Sequence, residues 1–122
     1  MLTDPQSLTY NGTATSLPLV SSGTMSRDYV SADGSLRLSI SHVQTKAGRW
    51  RRVIRVRHTK IAADPFTSGK NLSYDCSFSV IADMPSVGYT AAELDLVADS
   101  LLKWCTGSGS TAVFDRVVAG ES

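Results

Sequence analysis

One segment, Gly48–Ala62, constrains the fold of this 122-residue chain more than any other. It contains six of the twelve Lys and Arg residues, interleaved with β-branched and aromatic side chains. Because successive side chains of a β-strand point to opposite faces, this alternation predicts a strand with one cationic and one apolar face. The cationic face contains Arg51, Val53, Arg55, Arg57 and Thr59, and the apolar face contains Trp50, Ile54 and Val56. Such a strand needs a hydrophobic core behind it and an anion in front, since like charges on one face repel each other.

The charge of the chain is segregated along the sequence. The formal net charge is +1, yet eight basic residues and no acidic residue lie between Gly34 and Ala63. A nearly neutral chain with one basic segment predicts a localised site for a polyanion. The alternative interpretation is a solvated sheet face without a ligand.

Length and composition indicate one soluble domain with a single core. There is no charged segment followed by an apolar run, as in a signal peptide, and no apolar stretch near the roughly 20 residues that span a bilayer. Cys76 and Cys105 lack the spacing of a metal site or a disulfide framework, so we expect both to be small buried side chains. We therefore expect a cytosolic chain without cofactor or metal.

Turn signals and alternation predict a run of antiparallel strands. Asn11-Gly12 is typical of a hairpin turn, here between Ser7–Tyr10 and Ser16–Ser22, and Pro18 indicates an edge strand. Further strands are predicted at Arg27–Ala32, Ser35–Thr45, Arg49–Ala62 and Leu72–Ile81, with a turn at Asp33-Gly34 and a loop at Ala63–Lys70. The long strands are each apolar on one face and polar on the other, which favours an antiparallel meander with one covered face.

Helices are predicted to follow the strands. Thr90 and Glu93 form a capping box, and apolar residues recur at helical spacing up to Gly107. A second short helix is predicted at Thr111–Ala119, with Gly120 as its C-terminal stop. The fold class is therefore α+β: an N-terminal β-hairpin (1–24), an antiparallel meander sheet (25–83) and two C-terminal helices (89–122) in one domain. The short second helix and the short hairpin are marginal alone, which favours a homodimer whose helices pack on one face of the neighbour's sheet.

Taken together, these segments resemble the coat proteins of single-stranded RNA bacteriophages, the levivirus group. The resemblance runs through most of the chain, over the hairpin around Asn11-Gly12, the strands Ser35–Thr45, Arg49–Ala62 and Asn71–Ile81, the loop Asp64–Lys70, and the C-terminal segments Thr90–Trp104 and Thr111–Ser122.

The resemblance implies a structural protein of the virion. It implies interlocked dimers that assemble, in the bacterial host cytoplasm, into an icosahedral shell around the genomic RNA. It also implies that the inner sheet face binds an RNA hairpin, which represses translation and marks the genome for packaging. A membrane, a small-molecule substrate and a cofactor are not expected.

The resemblance also carries over residues by position and side-chain direction. The expected RNA-binding residues are Arg37, Ser39, Ser41, Arg51, Arg55, Arg57, Thr59, Asn71 and Ser73. The expected inter-subunit loop consists of Asp64, Pro65, Phe66, Thr67, Ser68, Gly69 and Lys70. Two features depart from the family pattern: Tyr74 falls on the apolar face, although relatives place a base-stacking aromatic on the RNA face, and the loop has no cysteine for cross-links, so we expect a non-covalent shell.

Two other functions are alternatives to the coat protein. An enzyme could use His42 or His58 as a general base with Asp64, Asp75 or Asp83, but both histidines have apolar-face parity and no catalytic motif is present. A stand-alone dimeric RNA-binding translational repressor that forms no shell is the closer alternative. Phe66 in the loop argues against it, because an exposed Phe is more natural at a subunit contact.

Overall fold

The chain divides into a strand-bearing unit and a helical unit. The computed structural model describes residues 2–46, 48–106 and 113–121, and its two compact units are Met1–Met84 and Pro85–Ser122. None of the described helices is both long and apolar enough to span a bilayer. The predicted grouping of all segments into one domain stays a prediction.

The first unit contains two antiparallel sheets. Its strands are β1 (Gln6–Tyr10), β2 (Thr13–Leu17), β3 (Leu19–Ser22), β4 (Ser26–Val30), β5 (Leu36–Gln44), β6 (Arg49–Ala63) and β7 (Asn71–Pro85). Strands β1 and β2 form a hairpin, and the other five form a sheet in the order β3-β4-β5-β6-β7. Sequential strands are therefore neighbours, which confirms the predicted meander.

The N-terminal hairpin differs from its prediction in one strand. Its turn is as expected, with Asn11 and Gly12 at φ angles of 51° and 77°, the left-handed pair that a two-residue hairpin loop needs. The predicted strand Ser16–Ser22 is wrong, however, because Pro18 separates β2 from β3 and the two strands belong to different sheets. Pro18 has no N–H to donate, and its carbonyl oxygen instead accepts a hydrogen bond from the Val30 amide at 3.1 Å.

The core of the first unit lies between the hairpin and the apolar face of the sheet. Leu17 from β2 and Tyr29 from β4 are fully buried, together with Leu36 and Leu38 from β5. Partly buried side chains surround this cluster: Leu8, Leu19, Ile40 and Val56. The hairpin therefore covers the part of the apolar face that β4, β5 and Val56 of β6 provide.

The second unit contains α1 (Ala91–Thr106) and α2 (Val113–Val118). The capping box is confirmed: the Glu93 amide donates to the Thr90 hydroxyl at 3.2 Å, and the Thr90 amide donates to Glu93 Oε2 at 3.4 Å. At the end of α2, Gly120 has a φ of 96° and its amide donates to the Val117 carbonyl, which confirms the predicted stop. Gly107, where the helical pattern of the first helix ends, and the first two residues of the predicted second helix lie outside the described residues.

The expectation that both cysteines are buried is wrong for the single chain. Cys76 is exposed and Cys105 is half-buried. Cys76 lies on the apolar face of β7, and this face is exposed from Leu72 to Val80, with Tyr74 at 38% and Val80 at 42%. The apolar pattern of β7 is thus as predicted, but the hairpin covers this face of the sheet only over β4, β5 and Val56 of β6.

The turn between β4 and β5 contains the most perturbed acid of the described chain. The Asp33 carboxylate accepts hydrogen bonds from the Ser31 hydroxyl (2.6 Å), the Ser35 amide (3.0 Å) and the Ser35 hydroxyl (2.8 Å). These donors, led by the Ser31 hydroxyl, lower the pKa of Asp33 from 3.8 to about 2 because they stabilise the ionised form. The charged carboxylate thereby fixes the hairpin turn that Gly34 completes at a φ of 76°.

We expect Asp33→Asn to destabilise the protein in a pH-dependent way. A carboxylate whose pKa is lowered by folding contributes stability above its unfolded pKa and loses it as the pH falls through the folded value of about 2. The variant should therefore unfold more easily than the parent near neutral pH, and the difference should shrink as the pH falls from about 4 to about 2. Chemical unfolding at several pH values measures this.

Ser35→Ala is the matched control, because it removes one hydroxyl donor and leaves the Ser31 hydroxyl and the residue 35 amide in place. It should show the same trend with a smaller amplitude. A stability difference that stays constant over this pH range would contradict the role of the ionised turn.

Candidate nucleic-acid interface

The pairing of β5 with β6 brings the central residues of the predicted site together. Arg37 lies opposite Arg57, Ser39 opposite Arg55, and Ser41 opposite Val53. Directly opposed residues of antiparallel strands point to the same side of the sheet. Arg51 and Thr59 share the parity of Arg55 and Arg57, so both central strands present their predicted residues on one polar face.

Strand β7 adds its odd-numbered residues to this face. Arg57 contacts Asp75 at 2.6 Å, Arg55 donates to the Ser79 hydroxyl at 3.2 Å, and Arg49 donates to Asp83 at 2.9 Å. Residue numbers fall along β7 as they rise along β6, so the two strands are antiparallel. The predicted residues Asn71 and Ser73 have the same parity as Asp75 and lie exposed at the start of β7.

A row of four charged side chains crosses four strands of the polar face, with a carboxylate at each end and two arginines in the middle. Its central members are Arg37 and Arg57, which would repel each other as directly opposed like charges. Asp28 on β4 lies 3.7 Å from Arg37, and Asp75 on β7 lies 2.6 Å from Arg57. Each guanidinium therefore has a carboxylate on its outer side, so the repulsion is partly neutralised within the chain.

This row corrects one inference from the sequence. The basic strand was expected to need an external anion, but Asp75 and Asp83 on β7 supply anionic partners to Arg57 and Arg49. Asp28 on β4 does the same for Arg37 on β5. The sequence could have placed Asp75 and Asp83 on this face, because both alternate in step with the predicted residues Asn71 and Ser73 of the same strand. Their pairing with particular arginines depends on the register of β6 against β7, which alternation alone does not give.

The ion pairs of this face are open to solvent. The side chains of Arg57 and Asp75 are 51% and 52% exposed, and those of Arg37 and Asp28 are 46% and 34% exposed. Exposed pairs of this kind are worth about 0–1 kcal/mol each. The guanidinium groups are thus held in place but remain available to a stronger anionic partner.

The opposite face of the same strands carries the remaining basic and aromatic residues. Arg52 Nη1 lies 2.9 Å from His42 Nδ1, and its guanidinium lies 5.0 Å from the centroid of the Trp50 ring. His58 stacks on Tyr10 of the hairpin at 4.8 Å. The two histidines and Trp50 therefore lie on the apolar side, as their parity predicted, and Trp50 packs against a side chain of its own strand.

The acids considered as partners of a catalytic histidine make other contacts. Asp75 and Asp83 pair with arginines, and Asp64 accepts a hydrogen bond from the Phe66 amide at 2.9 Å. Among the described residues, no group of three or more His, Cys, Asp and Glu side chains could hold a metal ion. Tyr74 alternates with Asp75 and so lies on the face opposite the arginines, as the alternation of the sequence predicted.

The loop between β6 and β7 is closed at its base and exposed at its tip. The Asp64 amide donates to the Lys70 carbonyl at 2.8 Å, and Gly69 has a φ of 78°. Phe66 is 95% exposed. A short, closed loop thus presents one large apolar side chain to solvent.

We expect Asp28→Asn combined with Asp75→Asn to destabilise the protein at low salt. Removal of both carboxylates leaves Arg37 and Arg57 opposed without compensation, at a cost of up to about 1 kcal/mol per pair. The loss should shrink at high salt, because the exposed charges are then screened. Chemical unfolding of the variant and the parent at low and high ionic strength measures both effects.

The control is the same double variant with Arg37→Gln added, which removes the repulsion. It should recover part of the low-salt stability. A loss that is independent of salt, or no recovery, would show that the four-strand row does not balance charge.

Comparison with known proteins identifies the fold. Neither a protein-family model nor a curated protein matches the chain. The virus-like particle of bacteriophage AVE019 matches with a TM-score of 0.81 and 16% identity, over 100% of this chain and 98% of the phage chain. The protein capsid of bacteriophage GA (TM-score 0.68, 16% identity) and the virus-like particle of Beihai levi-like virus 21 (0.73, 10%) each match over 98% of this chain and 95% of theirs. The chain therefore has the fold of the single-stranded RNA bacteriophage coat proteins, as the sequence resemblance indicated.

Proposed function

We propose that this chain is a capsid protein that dimerises and assembles into an icosahedral shell around single-stranded genomic RNA. The observation that carries the proposal is the two-faced sheet: one face bears arginines, and the other bears exposed apolar side chains. Proteins of this fold form virus-like particles in bacteriophage AVE019 and Beihai levi-like virus 21. The shell would assemble in the cytoplasm of the bacterial host and become the virion.

The polar face supports the RNA part of the proposal. Arginine engages phosphate through a planar fork and keeps its charge, so Arg37, Arg51, Arg55 and Arg57 suit the RNA backbone. Short hydroxyl side chains such as Ser39, Ser41, Thr59 and Ser73 would contact unpaired bases or 2′-hydroxyl groups without obstructing the flat surface. Asn71 extends this set at the start of β7. The face would thus bind an RNA hairpin, and this binding would repress translation and mark the genome for packaging.

The exposed apolar side chains support the dimer. Tyr74 and Val80 on β7 are exposed in the single chain, as are Val97 and Trp104 on α1, at 61% and 55%. Soluble proteins rarely leave so many large apolar side chains open to water unless a partner covers them. A second copy whose helices cover the sheet of the first would bury both sets in one symmetric interface.

The Asp64–Lys70 loop supports contacts between dimers. Its base is closed by a backbone hydrogen bond, and its tip presents Phe66 at 95% exposure. A side chain of this kind on a short protruding loop suits a pocket on a neighbouring subunit. The loop contains no cysteine, so the shell would be held without covalent links.

The test is electron microscopy of the protein expressed alone in bacteria, with nuclease-protected RNA measured in the same fractions. Uniform closed shells that contain host RNA are the expected result. Soluble dimers that retard RNA in a salt-dependent way would favour the alternative, a stand-alone RNA-binding translational repressor. The absence of both shells and RNA binding would contradict both functions.

We expect Phe66→Ser to reduce shell formation while leaving the dimer intact. The substitution removes the apolar tip of the loop and no contact of the core, so assembly beyond the dimer should suffer first. Size-exclusion chromatography and electron microscopy of the same preparation measure dimers and shells. Phe66→Leu, which keeps an apolar side chain at the loop tip, is the matched control and should assemble as the parent does. Normal shells from Phe66→Ser would refute the role of the loop tip.

A further inference from the structure

The polar face carries carboxylates beside its arginines. In the described part of the chain, Asp28, Asp75 and Asp83 each lie within 4 Å of an arginine on this face. A surface built only to attract RNA phosphates would gain from neutral residues at these positions. The carboxylates instead repel phosphate and compete with it for the same guanidinium groups.

The Arg57–Asp75 pair shows the competition most clearly. At 2.6 Å, Asp75 Oδ2 takes up a donor of Arg57 that a phosphate oxygen would otherwise accept. Both side chains are about half exposed, so the pair opens at small cost. Phosphate therefore binds Arg57 only when it displaces Asp75 from the guanidinium or shares the guanidinium with it.

The remaining side of the carboxylate faces solvent and still accepts hydrogen bonds. RNA offers donors that a bare chain of phosphates lacks, namely base N–H groups and 2′-hydroxyl groups. An RNA that places such a donor near Asp75 compensates for the competition, whereas a polyanion without donors does not. The mixed row of charge therefore discriminates between polyanions, which a purely basic face could not do.

We propose that Asp75, together with Asp28 on the other side of the row, is a specificity-determining residue that limits phosphate access to Arg57 and Arg37. The inference rests on the proposed RNA-binding function of the polar face. In this role the carboxylates weaken the non-specific binding of polyanions, and they also neutralise the opposed arginines within the sheet.

The first test measures binding of 20-nucleotide poly(U) RNA to the parent dimer and to Asp75→Asn over a range of salt concentrations. Asn keeps the shape of the side chain and removes the competing charge. We expect the affinity to rise about two- to fivefold, in line with the weakness of exposed pairs. The slope of log K against log salt should steepen by about 0.7, as one more phosphate is neutralised.

A double-mutant cycle separates competition at Arg57 from a general effect of charge. In the Arg57→Gln background, Asp75→Asn should change neither affinity nor salt slope, because the guanidinium it liberates is absent. Asp99→Asn is the matched control, since it removes an equally exposed acid that pairs with Lys103 on α1. A gain that persists without Arg57, or that Asp99→Asn reproduces, would overturn the proposal.

Selectivity is tested with inorganic polyphosphate, which carries phosphate charge without base or hydroxyl donors. Asp75→Asn should raise the affinity for polyphosphate more than the affinity for poly(U) and so lower the preference for poly(U), because the parent carboxylate most strongly penalises the ligand that offers it no donor. An unchanged preference would refute the specificity role.

The outcomes also distinguish this inference from the proposed function. If the parent dimer does not bind poly(U), the RNA-binding function itself fails. If the parent binds poly(U) and Asp75→Asn binds with the same affinity and salt slope, the function stands and the restraint by Asp75 fails. Asp28→Asn with Arg37→Gln repeats the cycle on the second pair.

Discussion

The register between β5 and β6 is the constraint on which the rest of the structure depends. It sets Arg37 opposite Arg57 on one face and Leu38 opposite Val56 on the other. Because side chains alternate with a period of two, a slip by one residue would turn the leucines of β5 to solvent and the arginines into the core. Burial of Leu36 and Leu38 under the hairpin therefore stabilises the same register that assembles the polar face.

That register produces a polar face on which positive and negative side chains are paired, rather than one on which only positive charge accumulates. Two opposed arginines are tolerable because Asp28 and Asp75 lie on their outer sides. The balance is achieved with exposed pairs, which contribute little to stability and open easily.

The apolar face is only half covered by the hairpin, and this has a structural consequence. The buried core is small: Leu17, Tyr29, Leu36 and Leu38. The apolar side chains of β7 and α1 remain exposed in the single chain, so much of the hydrophobic surface encoded by the sequence is not used within one copy. Stability that comes from burying this surface would depend on protein concentration, as for an obligate dimer.

Much of the molecule could be predicted from local pattern alone. The alternation of β5, β6 and β7, the Asn11-Gly12 turn and the capping box at Thr90 are short-range signals, and each was confirmed because neighbouring residues determine it. The strand Ser16–Ser22 was wrong because Pro18 ends one strand and begins another in a different sheet, a change of partner that local pattern does not reveal.

The sequence by itself determined which side chains share a face of each strand, and hence the arginine face and the apolar face. Only the tertiary structure decided that Asp28 and Asp75 flank the arginine pair, and that Cys76 and its neighbours stay exposed. The reason is physical: alternation is a property of one strand, whereas ion pairs and burial depend on which strands lie side by side and in what register.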